Sequence, residues 1–155
     1  MRAFGCLAAG AFLVGCGAAN DTEINLQHDA CAPLALVSDA PTDAQHAGMM
    51  DGQALWRDHG APAVGLRADT TVNVVFEDAA AAFHGLYDDT TGVIYINREL
   101  TDPKELSIVI AHELGHAFGL PHITDRSSVM NPGNLRVVPN DQDAAALEAL
   151  WGPCQ

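Results

Sequence analysis

Three residues in one short stretch have types and spacing that suit a catalytic metal site. His112 and His116 lie four positions apart, so on a helix their imidazoles point the same way and can share one cation. Two imidazoles in this arrangement suit Zn²⁺. Glu113 falls beside that cation rather than on it, where a carboxylate can accept a proton from a bound water. The chemistry that these residues predict is hydrolysis.

Gly119 and His122 extend the same stretch. On a continued helix, His122 would lie roughly 9 Å beyond His116 along the axis, too far to bind the same ion. Gly119 has no Cβ, so it can adopt a positive φ, end the helix and turn the chain back. Pro121 then prevents the helix from resuming. We therefore predict that His122 is the third metal ligand.

The pattern H-E-x-x-H-x-x-G-x-x-H, which runs from His112 to His122, resembles the zinc-binding signature of the metzincin peptidases. The alternative is an amphipathic helix with incidental histidines, which the glycine and third histidine at fixed offsets disfavour. Further along, Met130 lies in the sequence S-S-V-M-N-P, which resembles the Met-turn beneath the zinc in that family. Met130 would then pack rather than bind metal. Pro132, two residues later, favours the matrixin-like branch.

The resemblance implies an α+β, metzincin-like zincin fold: a twisted, mostly parallel sheet with an antiparallel edge strand, an active-site helix and a C-terminal helix. It also implies a zinc endopeptidase with Glu113 as general base, one catalytic Zn²⁺ and a peptide or protein substrate. Matrix metalloproteinases carry further structural zinc and calcium, but their ligand-rich loop is missing around His84, Asp88 and Asp89, so we expect no additional ion. The alternative is a catalytically silent surface lipoprotein that uses this fold for binding. Retention of Glu113, which is not a ligand, favours the enzyme.

The active-site helix has a recognisable start and a buried face. Asp102 is the predicted N-cap, with Pro103 in the first helical position and Glu105 completing a capping box. The sequence from Asn140 to Trp151 predicts a final, N-capped helix that resembles the closing helix of matrixin catalytic domains. The stripe that would pack against the sheet consists of Leu106, Val109, Ile110, Leu114 and Ala117.

The preceding part of the chain supplies the predicted sheet. Apolar or alternating runs predict strands over residues 34–37, 71–77 and 93–96, with a helix over residues 42–59 between the first two. The resemblance implies that the strand at 93–96 is the antiparallel edge strand that borders the cleft. For residues 79–87 we predict a loop or a single helical turn.

The N-terminus resembles an export signal. A positive start at Arg2 precedes a short apolar run, which is typical of a secretory signal and falls short of the about 20 apolar residues of a spanning helix. The sequence L-V-G-C ending at Cys16 resembles a bacterial lipobox, which implies a lipidated Cys16; ordinary secretion is the alternative. We therefore predict a lipoprotein signal peptide over residues 1–15, a tether over 16–30 and a catalytic domain over 31–155. The protein would work outside the cytoplasm, at the outer membrane or cell surface, or else secreted or periplasmic.

Charge and cysteines narrow the remaining possibilities. The net charge is −13, and the seven lysines and arginines are scattered singly, so we expect no nucleic-acid partner and membrane contact only through the lipid. We expect one domain and a monomer. An oxidising compartment favours a disulfide between Cys31 and Cys154. The alternative, Cys31 as a zinc ligand that keeps the enzyme latent, is disfavoured because its surroundings do not match the matrix metalloproteinase switch motif.

Overall fold

The computed structural model describes residues 23–154, so the predicted signal peptide and Cys16 lie outside the described residues. It contains four strands and three helices, in the order β1(Leu34–Val37), α1(Asp43–Arg57), β2(Thr70–Glu77), β3(Gly85–Asp88), β4(Val93–Asn97), α2(Pro103–Ala117) and α3(Asp141–Trp151). Within residues 23–154, no helix is both long and apolar enough to cross a membrane.

The four strands form one sheet in the order β1-β2-β4-β3. β1 pairs in parallel with β2, and β2 pairs in parallel with β4. β3 pairs with β4 in the antiparallel sense and forms one edge of the sheet. This arrangement confirms the predicted α+β class with a mostly parallel sheet, an antiparallel edge strand, an active-site helix and a C-terminal helix.

The edge strand, however, is not the one predicted. β4 was expected at the edge, but it lies inside the sheet between β2 and β3. β3 occupies the segment for which a loop or helical turn was predicted. The run V-I-Y-I has high β-propensity and marks a strand, but propensity does not reveal a strand's neighbours. β3 is only four residues long and begins with a glycine, so its strand conformation comes from pairing with β4 rather than from local preference.

Helix α2 begins where the sequence indicates. The Asp102 carboxylate accepts a hydrogen bond from the Glu105 backbone N–H at 2.9 Å, and Pro103 opens the helix. The reciprocal bond from the Glu105 side chain is absent, so Asp102 caps the helix without a full capping box. Each member of the predicted apolar stripe is buried: Leu106, Val109, Ile110, Leu114 and Ala117.

Two glycines of α1 let it approach α2 closely. A Cβ on Gly48 would lie 2.6 Å from Leu106 Cγ, and one on Gly52 would lie 2.6 Å from Ile110 Cγ2 and 3.0 Å from the Ser107 carbonyl oxygen. Judged by intrinsic helix propensity alone, these glycines only weaken α1. In the structure they provide the space in which the active-site helix is held.

The folded domain begins before Cys31. The predicted tether extended to residue 30, yet Ala30 is buried and the His28 N–H donates to the Ala117 carbonyl at 2.8 Å. A polar stretch without periodicity gives no local sign of such contacts, because they are made with distant backbone groups. Cys31 and Cys154 form a disulfide, which joins the chain before β1 to the chain after α3. Cys31 is therefore not a metal ligand in this structure.

The close contact of α1 and α2 generates a stability prediction. Gly52→Ala should lower the free energy of unfolding by about 1–2 kcal/mol, because overpacking against a β-branched side chain and a backbone oxygen outweighs the gain in helix propensity. Asp51→Ala is the matched control, since Asp51 is exposed one position earlier in α1. Urea denaturation of both variants measures the difference. Equal or greater stability of Gly52→Ala than of Asp51→Ala would contradict this packing.

Candidate metal centre

The three predicted histidine ligands come together at one point. His112 and His116 project from the last two turns of α2, and His122 returns to them from the following loop. The Nε2 atom of His122 lies 3.1 Å from the Nε2 of His112 and 3.1 Å from the Nε2 of His116. Within residues 23–154, this is the only group of three or more His, Cys, Asp or Glu side chains that lies close enough together to hold a metal ion.

Hydrogen bonds on the far side of two rings set their orientation. His112 Nδ1 contacts the Val129 carbonyl at 2.6 Å, and His116 Nδ1 contacts the Leu120 carbonyl at 2.7 Å. A carbonyl oxygen can only accept, so each Nδ1 must carry the hydrogen. The Nε2 lone pairs of both rings then face the shared point. This is the tautomer that a metal-binding histidine requires.

Burial keeps the same rings uncharged. It lowers the pKa of His112 to about 4 and that of His116 to about 3, and it also lowers the pKa of His122. The Nε2 lone pairs of His112 and His116 both face the Nε2 of His122, each at 3.1 Å, so a cation at this point would be within reach of all three rings. Three nitrogen donors around one point fit Zn²⁺, which binds imidazole nitrogen at about 2.0–2.1 Å.

Gly119 produces the turn that brings His122 back. Its φ is +95°, a conformation that strains any residue with a side chain. The Leu120 N–H donates to the Gly115 carbonyl at 3.0 Å and closes the end of α2. The same turn aims the Leu120 carbonyl at His116. One glycine conformation therefore ends the helix, delivers His122 and orients a second histidine.

Glu113 lies beside the histidine cluster and is only 5% exposed. Its Oε2 accepts a hydrogen bond from the Tyr87 backbone N–H at 2.8 Å. Burial raises the pKa of Glu113 to about 8, although the Tyr87 N–H acts in the opposite direction. A Cβ on Gly85 would lie 2.9 Å from Glu113 Oε1, so the absence of a side chain there leaves room for the carboxylate.

Sequence reasoning missed the roles of Gly85 and Tyr87. Both belong to β3, the strand that was not predicted. A glycine inside a strand can indicate close approach of another group, but without the strand that signal could not be interpreted. The Tyr87 contribution is a backbone N–H, which every residue except proline provides, so its identity carries no information.

The predicted Met-turn lies under the metal centre. Met130 is buried, and a Cβ on Gly115 would overlap its sulfur, so Met130 packs against the helix between the two histidine-bearing turns. Its carbonyl accepts the Ile123 N–H at 3.1 Å, which ties the chain just after His122 to the same turn. The residue before it, Val129, supplies the carbonyl that orients His112.

A buried carboxylate from α3 holds the Met-turn in place. Asp143 accepts hydrogen bonds from the Ser128 hydroxyl, from the Val129 N–H at 3.2 Å and from the Asn140 N–H at 3.0 Å. Its side chain also completes the capping box of α3 with Asn140. Asp143 therefore acts on His112 through one intermediate residue. It holds Val129 in place, and the Val129 carbonyl orients the His112 ring.

The histidines open into a cleft of about 450 Å³ that is bordered by β3, α2 and the loop after the Met-turn. His84 lines this cleft. Asp88 and Asp89, the other residues weighed for a second metal, have carboxylates that already accept hydrogen bonds, from Thr90 and Thr91 and from Asn25 respectively. That a single ion is bound stays a prediction.

Comparison with known proteins agrees with this geometry. Fold and site together define a metzincin-like protein with a candidate three-histidine metal centre. A family model described as Matrixin, of the M10 peptidases, matches residues 23–152, so the chain belongs to the matrixin family. The family and the three-histidine group support a zinc metallopeptidase and a zinc ion at this centre.

Two individual proteins illustrate the relationship. Interstitial collagenase B of Mus musculus is 38% identical in an alignment of 65 residues that covers 37% of this chain and 14% of the collagenase. The match thus spans only a small part of that relative. The crystal structure of archaemetzincin from Methanopyrus kandleri superposes with a TM-score of 0.58 at 17% identity, covering 77% of this chain and 95% of the archaemetzincin. This second likeness concerns the fold alone.

The link from Asp143 to His112 predicts a combined effect on stability and metal binding. Asp143→Ala should lower the free energy of unfolding by about 3 kcal/mol, because it removes a helix cap and leaves buried donors without partners. Zinc affinity should fall about tenfold or more, since Val129 no longer holds the His112 ring. Urea denaturation and zinc competition with a coloured chelator measure the two effects.

The matched control is Asp141→Ala, which removes an exposed carboxylate from the same turn of α3. It should change zinc affinity little. Equal zinc affinities in the two variants would show that Asp143 does not act on the metal centre.

Proposed function

We propose that this protein is a zinc endopeptidase that hydrolyses peptide bonds of a peptide or protein substrate. One Zn²⁺ would be held by His112, His116 and His122, with Glu113 as the general base. The observation that carries the proposal is the convergence of three neutral imidazoles beside a buried carboxylate on the wall of an open cleft; the Nε2 of His122 lies 3.1 Å from the Nε2 atoms of His112 and His116. A structural histidine cluster would have no use for that carboxylate.

The chemistry divides between the ion and the chain. When bound, Zn²⁺ supplies a Lewis acid that polarises a carbonyl and makes water nucleophilic near neutral pH. The Tyr87 N–H holds Glu113 Oε2, which leaves Oε1 free to accept the water proton and return it to the leaving amine. Burial raises the pKa of Glu113, whereas the positive charge of a bound Zn²⁺ would lower it and favour the carboxylate form that a general base requires.

β3 supplies the means of holding an extended peptide. It is the edge strand next to the cleft, and a strand edge can bind a peptide through backbone hydrogen bonds with little regard to side chains. The net charge of −13 argues against a nucleic-acid partner. We infer that the mature chain acts as a monomer.

The role of Glu113 is tested by Glu113→Gln. Peptide cleavage should fall by about 10²–10⁴-fold, because the amide cannot accept the proton, while the zinc content should persist because Glu113 is not a ligand. A quenched fluorescent peptide library and elemental analysis provide the two measurements. Glu105→Gln, the same change at the start of the same helix, should retain activity.

Two results would contradict the assignment. Full activity of Glu113→Gln would remove this residue as the base. If the zinc-loaded natural protein showed no chelator-sensitive cleavage of any library peptide, the alternative of a silent, metzincin-like binding protein would stand instead.

For the location, we propose that the mature chain is anchored outside the cytoplasm by a lipid on Cys16. The support is the lipobox-like sequence that ends at Cys16 together with the Cys31–Cys154 disulfide, which oxidising compartments favour. Metabolic labelling with a fatty acid should mark the protein and its Cys6→Ala control but not Cys16→Ala. Label in the Cys16→Ala protein would rule out this site.

A further inference from the structure

The outer edge of β3, which faces the cleft, can be read from its hydrogen bonds. The His84 carbonyl accepts from Asn97 N–H, and the Asp88 carbonyl accepts from Gly92 N–H, so the backbone groups of the even-numbered positions face β4. In an antiparallel pair the alternate residues face the other way. The backbone groups at positions 85, 87 and 89 therefore point outward, as the Tyr87 N–H does when it reaches Glu113.

This outward edge is already occupied at one end by the protein itself. The Leu26 N–H donates to the Asp89 carbonyl at 3.2 Å, which is the kind of bond that an added strand would make. We call residues 24–26 the N-terminal strap. Because the Tyr87 N–H is bound to Glu113, the outward groups that remain for another peptide are the N–H and the carbonyl of Gly85 and the carbonyl of Tyr87.

Further contacts hold the N-terminal strap against the edge. Asp89 Oδ2 accepts hydrogen bonds from the Asn25 backbone N–H at 2.7 Å and from its side-chain amide at 3.0 Å. The Tyr87 hydroxyl donates to the Leu26 carbonyl at 2.9 Å. Ile24 then lines the same cleft as His112, so the strap is part of the wall around the candidate active site.

The direction of a bound peptide decides which of its ends meets the strap. Antiparallel pairing is the more stable arrangement per residue, so we take a substrate to run opposite to β3. Its amino-terminal side then extends from the level of Tyr87 toward Asp89. Glu113, the proposed base, is bound at Tyr87, so we take the cleaved bond to lie at that level. Because residues pair one to one across such a ladder, about two residues then fit between the cleaved bond and the strap at Asp89.

We propose that the N-terminal strap closes the amino-side end of the cleft, so that the site favours peptide bonds preceded by a short amino-side arm. This selectivity rests on the proposed peptidase function. A longer arm must leave the edge or displace the strap, and either route loses backbone hydrogen bonds. The strap thus determines specificity without touching the reacting atoms.

The first test measures the strap itself and needs no activity. Hydrogen exchange, followed residue by residue, should show the Leu26 amide protected in the zinc-loaded protein. Protection should persist in Asp88→Ala and be lost in Asp89→Ala; the two variants remove the same charge from neighbouring positions, but only Asp89 binds Asn25. Exchange of Leu26 at the rate of an unfolded chain in the natural protein would overturn the proposal.

The second test measures kcat/KM for peptides that share one cleaved sequence and differ in the length of the amino-side arm. In the natural protein, extension beyond about two residues should lower kcat/KM about fivefold, the effect of one lost backbone hydrogen bond. The ratio between long-arm and short-arm peptides should approach one in Asp89→Ala and stay low in Asp88→Ala. A second pair repeats the comparison: Leu26→Pro removes the N–H donor, whereas Leu26→Ala keeps it.

The outcomes separate the strap from the peptidase function. Three results would each overturn the strap's role. The ratio of kcat/KM between long-arm and short-arm peptides could be the same in all variants, or the natural protein could cleave long-arm peptides as well as short ones. The limit could also fall on the carboxyl-side arm instead of the amino-side arm. Absence of cleavage for every peptide would refute the peptidase function, while exchange at Leu26 would still decide whether the strap occupies the edge.

Discussion

Three neutral imidazole nitrogens directed at one point are the constraint on which the rest of this structure depends. The Nε2 atoms of His112 and His116 each lie 3.1 Å from the Nε2 of His122, and the surrounding protein holds the rings in this arrangement. It does so with backbone carbonyls that fix two Nδ1 atoms and with burial that disfavours the charged forms. The binding energy of a metal ion can then go into coordination rather than into ordering the ligands.

The supports for these rings come from distant parts of the chain. Asp143 of α3 fixes the turn that carries Val129, and Met130 of that turn packs against Gly115 of α2. The two tryptophans act in a similar way: Trp56 of α1 donates to the Ala111 carbonyl at 2.6 Å, and Trp151 of α3 donates to the Phe118 carbonyl at 2.8 Å. Helices α1 and α3 are thus both attached to the helix that bears the ligands.

β3 connects the metal centre with the cleft. Its Tyr87 N–H holds the Glu113 carboxylate, while the neighbouring residue Asp89 holds the N-terminal strap. One short edge strand therefore sets the position of the proposed base and the length of edge that is open to a substrate. Gly85 contributes to the first of these, since a side chain there would meet Glu113.

Much of the ligand set was visible in the sequence because it depends on local geometry. The spacing of His112 and His116, the positive φ of Gly119 and the N-cap at Asp102 are properties of one helix and the turn after it. The strands β1, β2 and β4, the final helix and the Met-turn also follow from short patterns, and the family resemblance connected them into one fold.

What the sequence by itself determined, then, is the local chemistry: which side chains could bind a metal, where their helix starts and ends, and that an acidic, exported chain is expected. Only the tertiary structure decided which strand forms the edge, that Tyr87 and Gly85 flank Glu113, and that residues 24–30 belong to the domain. These features rest on backbone groups of residues far apart in the chain. Because every residue but proline carries the same N–H and C=O groups, their partners are set by the fold and leave no mark in the order of side chains.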